Sequence, residues 1–173
     1  GGGISSVEDV SVLLQNGADK ISVNTAAFKR PALIRELEKD FGSQCVVLAI
    51  DTKKEEDDEW YVYLNGGRTK TVVRWVDWAK QAFDHGVGEI LLTSMNHDGT
   101  KQGFAHDITS ALSSTLPVPV IASGGGGTMQ HFVDVFERGR ADAALAASIF
   151  HFKEIGIADL KAYLSDHNVH VRR

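Results

Sequence analysis

The sequence predicts an α/β fold, a parallel sheet covered by helices, and three observations lead there. Short apolar runs alternate with longer segments of helical periodicity along all 173 residues. The runs are nearly continuous in aliphatic residues, as in strands buried on both faces. Each run also gives way to a polar or small residue: Asn24, Asp51, Thr93 and Ser94, Ser123, and Ala147 with Ser148.

Taken in order, a helix fits residues 6–16, and Lys20-Ile21-Ser22-Val23-Asn24 reads as a strand. A helix then starts near Pro31, which suits a first helical turn, and carries Leu33, Ile34 and Leu37 on one face. Val46-Val47-Leu48-Ala49-Ile50 is the next strand and ends in Asp51. Residues 53–59 are acidic and read as a solvated loop. Trp60 to Tyr63 and Arg68 to Val73 then flank Asn65-Gly66-Gly67, a β-hairpin inserted on the same side as Asp51. A helix over 74–85 carries Trp75 and Trp78 at a spacing of packing residues. Further strands are expected at 89–92, 118–122 and 143–146, with helices at 107–114, 128–138 and 157–165.

Five strands with polar C-terminal ends favour a (β/α)8 barrel, whose site collects all strand ends, over an open doubly wound sheet. A complete barrel takes about 250 residues. The expectation is therefore a single partial-barrel domain over residues 1–173, with about five parallel strands and a hairpin insertion.

Ser123-Gly124-Gly125-Gly126-Gly127 returns in shorter form as Gly1-Gly2-Gly3-Ile4. Setting Asp19 on Asp142 gives an offset of 123 residues, at which Gly1 to Gly3 meet Gly124 to Gly126 and Thr25 meets Ser148. A glycine turn entering a helix lets backbone N–H groups approach an anion. Two such units imply two phosphate sites and a substrate phosphorylated at both ends.

A net charge of -5 without a basic block argues against nucleic acid and against a membrane surface. No apolar run approaches the roughly 20 residues of a membrane span, and the opening residues do not read as a signal peptide. A cytoplasmic setting is expected. Cys45, the single cysteine, excludes an internal disulfide and reads as a buried, inert thiol at a strand edge. The seven histidines show neither H-x-x-x-H spacing nor a cysteine partner, so no metal is expected, and no cofactor is called for.

Gly17-Ala18-Asp19-Lys20-Ile21-Ser22-Val23-Asn24-Thr25-Ala26, Val47-Leu48-Ala49-Ile50-Asp51 and residues 88–94 through Asp98-Gly99-Thr100 carry a specific resemblance. With Ile121-Ala122-Ser123-Gly124-Gly125 and residues 144–151, they resemble the cyclase subunit of imidazole glycerol phosphate synthase over residues 1–171. The resemblance implies a (β/α)8 barrel of duplicated halves, with this sequence matching strands four to eight and lacking the first three. It implies closure of a bis-phosphorylated ribulosyl aminoimidazole carboxamide nucleotide with ammonia from a partner glutaminase. The products are imidazole glycerol phosphate and aminoimidazole carboxamide ribotide.

On its residues alone, Asp51 is equally a turn cap or an acid/base. The resemblance favours the acid/base and places a second aspartate on strand one, outside this sequence. It assigns Gly3, Asn24 and Thr25 to one phosphate. To the other it assigns Asp98, Gly99, Gly124, Gly125, Ala147 and Ser148, with Asp98 organising its loop or contacting hydroxyls. Thr93 and Ser123 are expected to line the pocket. By the resemblance Lys20 and Glu89 match part of an ammonia gate and Asp19 a glutaminase-interface position, but the gate's other members fall in the missing strands, so a plain structural salt bridge is the preferred reading. The alternative for the whole chain is a catalytically impaired phosphate-binding module that forms homo-oligomers through open sheet edges.

Overall fold

The computed structural model describes residues 2–172, so Gly1 of the opening triplet lies outside the described residues. The chain divides into two compact units, Gly1–Leu91 and Leu92–Arg173.

The first unit opens with α1 (Val7–Gln15). Ser6 accepts from the Asp9 N–H, and the Asp9 carboxylate accepts from the Ser6 N–H, so two orphan donors of the first turn are satisfied at once. There follow β1 (Ile21–Val23), a short α2 (Thr25–Lys29) and α3 (Ala32–Phe41). The strands β2 (Val46–Lys54), β3 (Trp60–Leu64) and β4 (Thr69–Arg74) come next, then α4 (Trp75–Asp84) and the start of β5 (Glu89–Ser94). The strand order is β4-β3-β2-β5, with β1 also on β2. β1 and β2 are parallel, Ile21 facing Val46 and Val23 facing Leu48. Leu33, Ile34 and Leu37 are fully buried along one stripe of α3. Each such side chain contributes about 1.5–3 kcal/mol of transfer free energy. Trp75 and Trp78 are buried on α4, where Trp78 meets Phe28 edge-on at 5.1 Å between centroids.

β2 runs further than its apolar stretch predicts. Beyond Ile50 it pairs antiparallel with β3, Asp51 facing Tyr63 and Lys54 facing Trp60. Backbone pairing holds these polar residues in the strand, with Lys53 half-buried and Lys54 exposed. The solvated loop is thereby shortened to the turn at Glu55–Glu59, and the expected hairpin becomes a three-stranded antiparallel β2-β3-β4. Its second turn sits in the left-handed region, with φ of 56° at Asn65, 65° at Gly66 and 79° at Gly67. Cys45 is half-buried rather than buried, because it lies in a single 3-10 turn (Ser43–Cys45) and Val46 is the first residue to enter the core.

The second unit holds the rest of β5, then α5 (His106–Thr115), β6 (Val120–Ser123), α6 (Met129–Glu137), β7 (Ala143–Leu145), a short α7 (Ser148–His151) and α8 (Ile157–Asp166). The order is β5-β6-β7, and β6 lies parallel to β7 with Ile121 facing Ala143 and Ser123 facing Leu145. Phe132, Val135, Ile149, Leu160 and Leu164 form the core under α6 and α8. The 123-residue repeat recurs in the elements: α1-β1-α2-α3 returns as α6-β7-α7-α8, and Thr25 and Ser148 each open a short helix. No helix among the described residues is long and apolar enough to cross a membrane.

Candidate active site

Strand alternation decides where Asp51 points. Leu48, Ile50 and Thr52 are fully buried on one face of β2, whereas Ala49 and Asp51 share the other and line a cleft of about 630 Å³. The small Ala49 leaves space beside the carboxylate. Asn24, which follows β1, donates its side-chain amide to Asp51 Oδ2 at 3.0 Å. The register of β1 on β2 brings these two strand ends side by side. Gly3, Asn24 and Thr25 line the same cleft, together with Lys29 and Gly66. Thr25 Oγ1 accepts from the Asn65 N–H at 2.9 Å. A hydroxyl engaged as acceptor keeps its own proton to donate. This cleft therefore joins an oriented carboxylate to hydroxyl, amide and ammonium donors suited to an oxyanion.

In the second unit Asp98, Gly99, Ser123, Gly124, Gly125, Ala147 and Ser148 line a smaller cleft of about 150 Å³. Two of its glycines, Gly124 and Gly125, are set by close backbone approach. A Cβ at Gly124 would stand 2.6 Å from Ser94 O, and one at Gly125 would stand 1.9 Å from Gly103 O. Both have positive φ, 91° and 105°, and the Gly103 N–H donates to Gly125 O at 2.8 Å. The loop after β5 and the turn after β6 are thus zipped main chain to main chain. Asp98 contributes to the same fold of the loop, its N–H donating to Ser94 O at 2.9 Å.

The model of a family described as histidine biosynthesis protein matches residues 1–156. The chain belongs to the histidine biosynthesis protein family. Among its relatives, an imidazole glycerol phosphate synthase subunit HisF from Flavobacterium psychrophilum is 56% identical over 172 residues, covering 99% of this chain and 68% of the relative. One of the same name from Flavobacterium johnsoniae is 57% identical over 172 residues, with the same shares. That of Bacillus subtilis is 54% identical over 173 residues, covering 99% of this chain and 69% of the relative.

This histidine biosynthesis chain has the α/β fold that its strand and helix pattern predicts. At the N-terminal ends of its strands, Lys20, just ahead of β1, pairs with Glu89, the first residue of β5. Asp19 is exposed next to Lys20. Thr93 lines neither cleft. It alternates on β5 with the buried Leu92 and Ser94 and shares the half-buried side of Glu89 and Leu91. Lys29 and Lys101 line the two clefts and escape a reading from sequence, because a surface lysine has no signature of its own. Lys29 does lie four residues after Thr25, one helical turn on, which was the available signal. Among the described residues no group of three or more His, Cys, Asp or Glu is arranged to hold a metal ion.

Proposed function

We propose that the chain performs the cyclase reaction of imidazole glycerol phosphate synthase, in the cytoplasm. A bis-phosphorylated ribulosyl aminoimidazole carboxamide nucleotide and ammonia give imidazole glycerol phosphate, aminoimidazole carboxamide ribotide and water, the ketone oxygen leaving as the water. The observation that carries this reading is Asp51 in one cleft with Gly3, Asn24 and Thr25, its carboxylate held by the Asn24 amide. Ring closure and C–N cleavage both move protons at nitrogen, and a positioned carboxylate serves as acid/base for them. Each cleft takes one phosphate: Thr25, Lys29 and backbone N–H groups in the first unit, Ser148, Ser123 and the glycine turn in the second. Ammonia comes from a glutaminase docked near Asp19, Lys20 and Glu89, at the strand ends away from Asp51.

The test is ammonia-dependent turnover of the ribulosyl nucleotide by the chain, alone and with glutaminase. Formation of both products supports the reading, as does turnover that returns when a fragment carrying the family's first three strands is added, and absence of turnover under all of these conditions overturns it. A second reading, a self-associating phosphate-binding module, draws on β7, whose Leu145 is 43% exposed at the end of the strand order. Sedimentation of an oligomer that binds phosphate without turnover would favour it.

A further inference from the structure

Lys101 lines the cleft of the second unit, yet its ammonium is committed elsewhere. Nζ donates to both carboxylate oxygens of Glu154, at 2.6 and 2.8 Å. The backbone of Lys101 is fixed beside the glycine turn: φ is 59°, and a Cβ at Gly127 would lie 2.4 Å from Lys101 O. Glu154 is fixed as well, its N–H donating to Ile149 O at 2.8 Å just past α7, whose first residue, Ser148, lines the cleft. The pair therefore runs from the loop after β5 to the segment after α7.

Among the residues lining this cleft, Lys101 is the one cation and Asp98 the one acid. A dianion entering beside Asp98 calls for a compensating positive charge, and the nearest within the lining is Lys101. The Lys101 and Glu154 side chains are 42% and 40% exposed, so the pair is screened by water and weakly held. A phosphate carries close to two negative charges and three acceptor oxygens, against one charge on the carboxylate. The four-carbon lysine stem swings readily between partners.

We propose that Lys101 is a further anion-recognition residue of this cleft, held by Glu154 until a phosphate group competes for it. The inference rests on the reading of the cleft as a phosphate site and adds to it the residue that supplies charge and the one that regulates access to it.

The experiment is titration of the ¹⁵N-labelled chain with inorganic phosphate, read at the Gly125 and Ser148 amide signals so that binding in the first unit does not interfere. Lys101→Met weakens binding about tenfold, and Lys101→Arg restores most of it. Glu154→Gln, which frees the ammonium while keeping the side chain's shape, tightens binding about threefold. The double variant Lys101→Met/Glu154→Gln matches Lys101→Met. Wild-type affinity in Lys101→Met overturns the inference and leaves the phosphate reading standing. Loss of affinity in Glu154→Gln equal to that in Lys101→Met also overturns it, since the pair would then be a structural clasp. Unmoved Gly125 and Ser148 signals in the unsubstituted chain overturn the phosphate reading itself.

Discussion

Asp51 and Asn24 depend on each other. The carboxylate does the proposed proton transfer, and the amide at 3.0 Å fixes its direction. Asp51→Asn keeps the volume and removes the base, so turnover falls by about 10²–10⁴-fold with the thermal midpoint little changed. Steady-state kinetics with circular dichroism checks both halves of that statement. The glycines allow a second comparison at this scale. Gly125→Ala must force apart the backbone at Gly103, where the new Cβ would stand 1.9 Å from a carbonyl oxygen. At Gly3, whose φ is 72°, a new Cβ meets nothing within 4 Å. Gly125→Ala is expected to cost on the order of 3 kcal/mol in urea unfolding and Gly3→Ala about 1 kcal/mol, the strain of a positive φ alone. Asp51 and the glycine runs could be read in the sequence because a carboxylate after an apolar strand and repeated glycines are conspicuous. Lys29 and Lys101 could not, since only folding brings a generic charge to a cleft.

Among elements, the long helices follow their periodicity closely: α1, α3, α4, α5, α6 and α8 lie within two residues of expectation. α2 and α7, at five and four residues, are too short to show a period, and their existence depends on the turn after each strand. The extension of β2 was hidden for another reason, because pairing with β3 overrides the polarity of Lys53 and Lys54. That pairing creates a titratable contact. Tyr63 donates its hydroxyl to Glu55, which also lies 3.2 Å from Lys70 Nζ. The bond to Glu55, with burial, pushes Tyr63 up from 10.0 to about 12. The bond from Tyr63 and the nearby Lys70 lower Glu55 below 4.5. The contribution of Tyr63 to stability is complete below pH 10 and is lost as pH rises toward 12. That of Glu55 is present above pH 4.5 and is lost as pH falls through its lowered value. Ultraviolet titration of the phenols should show Tyr63 ionising near pH 12, and Glu55→Gln should return it toward 10.

Over the whole chain, the boundary between the two units falls between Leu91 and Leu92, inside β5. Ile90 on one side is fully buried and Leu92 on the other is 1% exposed. Unfolding of one unit alone would require a single strand, β5, to be ordered in one half and unfolded in the other. We propose, on this ground, that residues 1–173 unfold as one cooperative domain. The tryptophans make the proposal testable without labels, because Trp60, Trp75 and Trp78 all lie in the first unit. Their fluorescence reports that unit alone, whereas circular dichroism at 222 nm records helices of both. In urea the two signals should share one midpoint and one slope, as two-state behaviour requires. A fluorescence transition displaced from the dichroism transition would mean that the units unfold separately, with the break in β5 tolerated. Phe152→Trp, at an exposed site in the second unit, then identifies the unit that unfolds first, because the variant gains a transition that the unsubstituted chain cannot report.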